Sequence, residues 1–533
     1  MVKSGSNPLP HGIIYHMRKW LYLAVFVSGM TTLAAEMSAS RLLGNYFGTS
    51  NLTWASIIGL ILIYLTAGYF IGGRWADRSP HYSTFFQILI WAAFSIGLIP
   101  LASRPILRLA ANAFDNLDLG VLFGSFSVVM ILFIIPITLL GTASPFAIRL
   151  ALLDSRTAGS VAGRIYAIST LGSFLGTFLP VLILIPLVGT YRTFLTISTF
   201  LLLIALLGLG VTSGWRRTLV YTWMPVILIL LAVFGTRGTD KSSAGLIFET
   251  DSAYNYIQVL EFGQTRYLRL NDGQGVHSVY HPTEYFYNGP WEQVLVAPFF
   301  NQPPVQPGDI RRMAIVGLAA GTTARQAGLV FPNLIIDGIE IDPEIVEVGR
   351  RYFGMDLPYL NVIVQDGRWG LARSNQKYQV ISVDAYRPPY IPWHMTTLEF
   401  FQLVRDRLTD DGVMVINVGR SPTDRRLINT LYTTIAQVFP SVHIMDLPDS
   451  FNSILFATVQ PTVAENLAAN FQQLSQSAET PYLLLQSMAV TLQNLQPAPP
   501  PGVVFTDDRS PIEWITNKMI LDFLFSGEVE TLQ

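Results

Sequence analysis

Long apolar runs fill the first 240 residues of the chain, with short charged segments between them. A helix needs about 20 predominantly apolar residues to cross a bilayer. Such a stretch predicts a membrane span when it lacks charged side chains. Seven runs without Asp, Glu, Lys or Arg fit this description: Leu21–Ala35 (extended past Glu36 by Met37–Ala39), Leu52–Gly73, Ser83–Ser103, Leu119–Ile148, Ile165–Tyr191, Thr193–Trp215 and Thr218–Thr236. The pattern predicts an α-helical transmembrane bundle of about seven helices over residues 1–240, in a multi-pass protein of a cell membrane whose first partner is the lipid bilayer.

The charges between these runs favour one orientation of the N-terminus. If the N-terminus is cytoplasmic, that side collects ten cationic side chains: Lys3, Arg18, Lys19, Arg74, Arg78, Arg149, Arg156, Arg164, Arg216 and Arg217. The opposite side collects five, with Arg41 at a helix end: Arg104, Arg108, Arg192, Arg237 and Lys241. The excess favours a cytoplasmic N-terminus. Seven spans would place the C-terminal half on the opposite side of the membrane from the N-terminus, and a change of one span would reverse this. The sequence therefore does not decide on which side the C-terminal half lies.

From residue 245 onward, short apolar runs alternate with helical patterns. Two predicted strands, Leu246–Leu260 and Arg266–Leu270, are joined at Gly263-Gln264 and indicate a small β subdomain over residues 245–305. Five more predicted strands follow: Met313–Val316, Leu334–Ile339, Asn361–Val364, Val380–Val383 and Val413–Val418. Their alternation with helices predicts a doubly wound, Rossmann-like α/β domain of the methyltransferase type over residues 306–460. Residues 461–533 are expected to form a C-terminal tail with a Pro-rich linker, Pro497–Gly502, and a capping helix.

Candidate binding residues follow the predicted strands, at the edge where doubly wound sheets hold their ligands. The Gly317–Gly321 turn opens a helix, so its backbone can approach a ligand closely. Glu340 is placed to accept hydrogen bonds from ribose hydroxyls, and Asp366 from an adenine amino group. Asp384 follows the fourth strand, beside the expected reactive centre. The predicted cofactor-binding residues are Gly317, Gly321, Glu340, Asp366 and Gly367, and the predicted catalytic residue is Asp384.

Composition narrows the function further. Half of the residues are apolar, 13% are charged, and the formal net charge is −2, so nothing indicates a nucleic-acid partner. The chain has no cysteine, which excludes disulfides, thiolate metal sites and cysteine nucleophiles. The only close histidine pair, His277 and His281, has no third residue at metal-ligand spacing, so no metal site is expected.

Several motifs resemble the polyamine aminopropyltransferases, the spermidine synthase family, in the form fused to a membrane domain. In the C-terminal half they are Leu270–Gly273, Val276–Tyr280, Ala314–Gly321, Glu340–Asp342, Gln365–Gly367, Asp384, His394–Phe401 and Thr506–Glu513. In the membrane half they are Ser28–Leu43, Gly72–Arg78, Gly163–Ala167 and Leu171–Ser173. The resemblance implies transfer of an aminopropyl group from decarboxylated S-adenosylmethionine, a co-substrate rather than a tightly bound cofactor, to a small-molecule amine. It implies that Glu340 holds the ribose, that Asp366 holds the adenine, and that Asp384 orients or deprotonates the incoming amine.

The sequence also departs from the family pattern around the expected amine. An acid of the glycine-rich turn is replaced by Ala320, and a second acid, three residues after Asp384, by Arg387. His277 stands where the family has a Gln, and Tyr386 lies in the loop after Asp384. The candidate substrate residues are His277, Tyr386 and Arg387. Of these, Arg387 would repel a polyamine and attract a carboxylate or phosphate.

Two other functions stay open at this point. A methyltransferase would use intact S-adenosylmethionine, whose carboxylate tolerates the missing acid at Ala320. A non-catalytic membrane scaffold or binding module would keep the fold and bind a second copy of the chain or other membrane proteins.

Overall fold

The computed structural model describes residues 11–47, 51–107, 120–152, 154–235, 243–271, 275–386, 391–421 and 424–525. The chain folds as two compact units, Met1–Ser242 and Ser243–Gln533.

The N-terminal unit consists of helices. Its α-helices are α1 (His11–Phe47), α2 (Asn51–Arg78), α3 (Tyr82–Gly97), α4 (Ile99–Leu107), α5 (Gly120–Gly141), α6 (Ala143–Ala151), α7 (Ala158–Leu179), α8 (Ile185–Val188), α9 (Thr190–Ser213), α10 (Trp215–Leu219) and α11 (Trp223–Leu230). A 3₁₀ turn spans Ser155–Thr157, and π-helical segments span Pro180–Leu184 and Leu231–Gly235.

Six continuous helical stretches in the described residues are long and apolar enough to cross a membrane, and the bent pair of α3 and α4 makes up to seven. The predicted run Ser83–Ser103 therefore falls on two helices rather than one straight helix. They meet at an angle of 43° next to Leu98. Pro100 lies just past this bend, where its missing N–H and its ring disfavour a continuous helix.

Small residues let the backbones of α1 and α7 touch. A Cβ atom on Gly172 would lie 2.0 Å from the carbonyl oxygen of Phe26, and one on Gly176 would lie 2.0 Å from that of Met30. The Ser173 hydroxyl donates to the Gly29 carbonyl at 3.2 Å. Apolar helices in lipid gain little from burying apolar surface, so close packing of this kind is a main source of their association.

The outer faces of the N-terminal unit remain apolar. In an apolar 18-residue segment of each stretch, only 22% of the residues are buried in Ser155–Val188 and 17% in Trp215–Phe234, against 67% in Met17–Gly44. Large side chains on these faces, such as Phe174, Leu182 and Leu187, are more than 60% exposed. Soluble monomers rarely expose continuous apolar surface of this extent.

The C-terminal unit begins with an antiparallel sheet in the order β1-β2-β3-β4. Its strands are β1 (Leu246–Asp251), β2 (Tyr256–Phe262), β3 (Thr265–Leu270) and β4 (Val276–Tyr280). The prediction of one strand over Leu246–Leu260 was wrong, because a turn at residues 252–255 divides it. The Ser252 hydroxyl accepts the backbone N–H groups of Tyr254 and Asn255 at 3.0 and 2.9 Å, which gives the chain a local alternative to the strand.

The larger sheet has eight strands in the order β12-β10-β11-β9-β8-β5-β6-β7. They are β5 (Arg312–Val316), β6 (Ile335–Glu340), β7 (Leu360–Val364), β8 (Tyr378–Val383), β9 (Leu408–Gly419), β10 (Ser441–Asp446), β11 (Asn452–Thr458) and β12 (Leu495–Gln496). Strands β5 to β9 pair in parallel, as predicted, and β10 to β12 add an antiparallel edge. The chain order reverses between β5 and β8, which creates the crevice where such sheets bind ligands.

Helices cover both faces of this sheet. They are α12 (Pro290–Gln293), α13 (Thr322–Val330), α14 (Pro343–Phe353), α15 (Gly367–Arg373), α16 (Leu398–Arg407), α17 (Arg426–Ile435), α18 (Ala464–Leu474), α19 (Tyr482–Gln493) and α20 (Ile512–Phe525), with 3₁₀ turns at Val294–Phe300, Pro307–Asp309 and Trp393–Met395. The segment predicted as a tail is part of this core: Leu467 and Met488 pack on one face of the sheet, and Phe505 and Ile512 on the other.

We expect Gly172→Ala to destabilise the helical unit, because the added methyl would overlap the Phe26 carbonyl and force α1 and α7 apart. Overpacking of this kind costs about 1–3 kcal/mol. Thermal unfolding of the detergent-solubilised chain measures the effect as a lower midpoint temperature. The matched control is Gly163→Ala in the same helix, where the added Cβ meets nothing within 4 Å. Equal midpoints for the two variants would contradict the packing described here.

Candidate functional site

A tight turn connects β5 to α13 at the carboxyl edge of the large sheet. Gly317 and Gly321 have φ values of +90° and +85°, which glycine adopts without strain. A Cβ atom on Gly317 would lie 2.5 Å from the carbonyl oxygen of Asp384 and 2.7 Å from the Cα atom of Ala385. Only glycine fits position 317, and this close approach brings the turn against the end of β8.

Glu340 ends β6 with its carboxyl group under this turn. It is 7% exposed, and its two oxygens accept the backbone N–H groups of Ala319 at 2.9 Å and Asp342 at 3.1 Å. Burial raises the pKa of the Glu340 carboxyl to about 7, an effect that these hydrogen bonds oppose. The carboxylate retains further lone pairs that can accept hydroxyl donors.

Asp342 joins the small sheet to the large one. Its side chain is buried, caps α14 through the N–H of Glu344 at 3.0 Å, and accepts the Ser252 hydroxyl at 2.5 Å and the Asn255 amide at 2.9 Å. The turn that divides the predicted first strand is therefore held against the site by one carboxylate. The order Asp342-Pro343-Glu344 is typical of a helix start, and the sequence carries no local signal for the second contact.

Asp366 follows β7 and begins α15, beside the end of β6. One carboxylate oxygen accepts the N–H of Trp369 at 3.0 Å, and the other accepts from His394 Nε2 at 3.1 Å. The hydrogen bond from His394 lowers the pKa of the Asp366 carboxyl. An adenine amino group at Asp366 would therefore share a carboxylate that His394 already contacts. Next to it, Gly367 is buried against Val316, since a Cβ atom there would lie 2.5 Å from Val316 Cγ1.

A second acid holds the segment after His394. Arg368 donates to both carboxylate oxygens of Asp507 at 2.7 Å, and the Thr397 hydroxyl donates to the same group at 2.7 Å. Thr396 and Glu399 have the spacing of a helix capping box, which the structure does not form. Thr397 is the cap, and Glu399 instead accepts the backbone N–H of Asp507 at 2.9 Å, because a contact from a distant part of the chain takes its carboxylate.

Asp384 follows β8, half-buried beside the glycine turn. Its Oδ1 accepts the Nδ2–H of Asn417, a residue of β9, at 2.9 Å. Burial raises the pKa of the Asp384 carboxyl, and the hydrogen bond from Asn417 lowers it. Sequence reasoning missed Asn417, although a lone amide in the apolar run Val413–Val418 is a visible signal.

The Tyr386 hydroxyl ties the loop after Asp384 to β9. It donates to the Asn417 carbonyl at 3.1 Å and accepts the N–H of Gly419 at 2.7 Å, and burial raises the pKa of its phenol. Because both roles of the hydroxyl are taken, Tyr386 orients the loop in this structure rather than offering a donor to a substrate. Arg387, the other predicted substrate residue of this loop, lies outside the described residues.

His277 lies on β4, the strand of the small sheet that touches the glycine turn. Its neighbour Ser278 accepts the N–H of Ala320 at 3.0 Å. Burial lowers the pKa of His277 to about 4, and its Nε2 atom is buried without a hydrogen-bond partner among the residues that the structure describes. The imidazole is therefore neutral at pH 7. Across the described residues, no three His, Asp or Glu side chains form a group that could hold a metal ion.

The structure thus brings Gly317, Glu340 and Asp384 into contact around one turn, with Asp366 and Gly367 on the adjoining strand end. His277 reaches this turn only through its neighbour on β4.

We expect Glu340→Gln to remove part of the pH dependence of unfolding. Because the carboxyl pKa is about 7 in the folded chain and 4.5 ordinarily, the folded state binds more protons between these values, and stability falls as pH rises from 4.5 to 7. At pH 8 the ionised Glu340 lowers the free energy of unfolding by about 3 kcal/mol at most. Thermal unfolding at pH 5, 6, 7 and 8 should give a flatter curve for Glu340→Gln. Asp446→Asn is the control, since the low pKa of its carboxyl and its arginine partners predict no change of slope in this window, and parallel curves for Glu340→Gln and the parent would refute the prediction.

Comparison with known proteins shows what the C-terminal unit is similar to. Residues 308–463 match the spermine/spermidine synthase domain. The chain is 32% identical over 285 residues to a probable polyamine aminopropyl transferase of Bifidobacterium longum, covering 50% of this chain and 61% of that protein, less than two thirds of its length. It is 28% identical over 283 residues to a polyamine aminopropyltransferase of Vibrio vulnificus, covering 50% of this chain and 89% of that one.

A shorter similarity extends to a methyltransferase. The human eEF1A lysine and N-terminal methyltransferase is 27% identical over 162 residues, which cover 28% of this chain and 23% of that protein. The match to the synthase domain and the longer matches to aminopropyltransferases agree with the resemblance seen in the sequence motifs. Residues 308–463 therefore match a spermine/spermidine synthase domain, and the C-terminal unit is similar in sequence to polyamine aminopropyltransferases.

Proposed function

We propose that this chain is a membrane-anchored transferase that binds decarboxylated S-adenosylmethionine at the carboxyl edge of its large sheet and moves the aminopropyl group to an amine. The observation that carries the proposal is the half-buried Asp384 carboxylate, held by Asn417 beside the Gly317–Gly321 turn. A carboxylate at this point of a doubly wound sheet faces the crevice where ligands bind.

The nucleoside part of the co-substrate has a set of partners in this arrangement. Glu340 would accept the ribose hydroxyls, and Asp366 the adenine amino group. Gly317, Gly321 and Gly367 keep the backbone close enough for these contacts. The co-substrate is consumed in each turnover, so no tightly bound cofactor is part of the proposal.

The reaction requires little covalent chemistry from the protein. The amine nitrogen attacks the aminopropyl carbon bound to sulfur, a C–N bond forms, and the C–S bond breaks to release neutral methylthioadenosine. The surplus proton of the new ammonium passes to Asp384, whose raised pKa makes it a better base than an exposed carboxylate. The remaining acceleration comes from holding the two reactants in line.

The acceptor is an amine that does not need a second acid to bind the end remote from its reacting nitrogen, because the two family acids are replaced here by Ala320 and Arg387. Ala320 is buried and carries no charge, and the neutral His277 offers no attraction to a second ammonium group. The same replacement at Ala320 favours a second candidate, a methyltransferase that uses intact S-adenosylmethionine. An acid there would repel the carboxylate of that co-substrate.

The helical unit supports the membrane part of the proposal. Its apolar outer faces match a bilayer, and the Ser155–Val188 and Trp215–Phe234 stretches are strongly apolar and little buried within the chain. A helix that is apolar all round is either enclosed by protein or surrounded by lipid.

We expect Asp384→Asn to reduce turnover by at least about 100-fold, because an amide cannot take the proton and positioned bases contribute that much. The assay incubates full-length protein in lipid nanodiscs with the decarboxylated co-substrate and a panel of monoamines and diamines, and measures methylthioadenosine. Asp309→Asn, a surface acid on another edge, is the control. Release of S-adenosylhomocysteine from intact S-adenosylmethionine would replace the proposal by the methyltransferase, and full activity of Asp384→Asn would remove Asp384 from the mechanism.

We expect Asn417→Leu to slow the reaction roughly tenfold, the usual loss when a carboxylate loses a donor. Because Asn417 lowers the pKa of Asp384, the variant should raise that pKa and shift the acid limb of kcat/KM to higher pH. The KM for the nucleoside co-substrate should not change, because the variant leaves Glu340 and Asp366 in place. Asn417→Gln, which keeps the amide, should restore part of the rate, and an unshifted pH profile for Asn417→Leu would contradict a positioning role.

A further inference from the structure

A cavity of about 330 Å³ opens in the helical unit, far along the chain from the synthase domain. Its lining comes from α2, α3, α5 and the turn after α10, and includes Trp75, Thr84, Gln87, Trp91, Leu139 and Tyr221. Thr84, Gln87 and Trp91 lie within the first ten residues of α3, and Trp75 lies three residues before the end of α2. The cavity is therefore close to one end of the bundle, at the depth where a bilayer changes from acyl chains to headgroups.

The cavity presents hydrogen-bond donors that the protein leaves unused. Gln87 is half-buried on α3, a helix without charged side chains, and its amide has no hydrogen-bond partner among the described residues. The indoles of Trp75 and Trp91 are 40% and 47% exposed, and the same described residues supply no acceptor for either N–H. An unpaired amide is costly in an apolar environment, so these groups call for a ligand that brings acceptors.

The same end of the bundle is strongly cationic. The end is defined by two contacts, Arg18 with the Ala151 carbonyl at 3.2 Å and Arg149 with Asp77 at 3.2 Å. In the described residues it carries nine cationic side chains and two acids: Arg18, Lys19, Arg74, Arg78, Arg149, Arg156, Arg164, Arg216 and Arg217 against Asp77 and Asp154. Arg74 directly precedes Trp75, and Arg217 lies four residues before Tyr221. The surplus of positive charge favours an anionic occupant.

We propose that this cavity is a binding site for an anionic phospholipid. The ester carbonyls of the lipid accept hydrogen bonds from Gln87 and the two indoles, which belong to the residue types enriched at bilayer interfaces. The phosphate lies toward Arg74 and the other arginines, and the acyl chains follow the apolar outer face of the bundle. The inference rests on the proposed placement of the helical unit in a membrane, and not on the transferase reaction.

Native mass spectrometry of the full-length, delipidated protein tests the site. Dioleoyl phosphatidylglycerol is titrated against dioleoyl phosphatidylcholine, which has the same chains and a zwitterionic headgroup. We expect the anionic lipid to bind at least fivefold more tightly. Gln87→Leu and Arg74→Gln should each weaken its binding several-fold, while Arg192→Gln, at the other end of the bundle, should leave it unchanged.

Three outcomes would overturn the proposal: equal binding of the two lipids, full affinity in Gln87→Leu, or displacement of the lipid by free glycerol phosphate, which would indicate an anion pocket. Thermal unfolding of each variant identifies a loss caused by misfolding, and Arg74→Gln, a change of an exposed side chain, keeps the test valid if Gln87→Leu does not fold. Transferase turnover measured in parallel separates the two proposals, because an inactive enzyme that binds the lipid leaves this site intact.

Discussion

The backbone of position 317 passes so close to that of Asp384 and Ala385 that no side chain fits between them. This contact joins the two strands at which the order of the sheet reverses, and it sets the width of the crevice between them. Everything proposed for the site depends on it. The turn that begins at Gly317 supplies the N–H of Ala319 to Glu340, and the strand end that it touches carries Asp384.

The three carboxyl groups near this contact have shifted pKa values, and the cause of the shift differs from one to the next. Glu340 is buried with only backbone donors, so its pKa rises, whereas Asp366 is partly exposed and paired with His394, so its pKa falls. Burial raises the pKa of the Asp384 carboxyl, and the hydrogen bond from Asn417 opposes this rise. A nucleoside bearing a positive sulfonium would favour the ionised form of all three. The site therefore suits a cationic co-substrate even though Ala320 adds no acid of its own.

Local patterns allowed the sequence to predict the strands of the parallel sheet and the placement of Gly317, Glu340, Asp366 and Asp384 at one edge. Gly317, Glu340 and Asp384 directly follow apolar runs, Asp366 follows one after Gln365, and parallel strands end on the same side. What the sequence did not reveal depends on contacts between distant segments. Glu399 takes an N–H from Asp507 and thus leaves its helix cap, and residues 461–525 pack on the sheet although their composition resembles a tail.

Direct titration of the full-length protein with decarboxylated S-adenosylmethionine, by isothermal calorimetry in nanodiscs, tests the central claim that this edge binds a sulfonium nucleoside. The account predicts saturable binding to one site per chain, weakened at least about tenfold in Glu340→Gln, which loses the carboxylate proposed to accept the ribose hydroxyls, and unchanged in the surface variant Asp309→Asn. Absence of heat with both the decarboxylated and the intact co-substrate, in a sample with a single sharp unfolding transition, would contradict it.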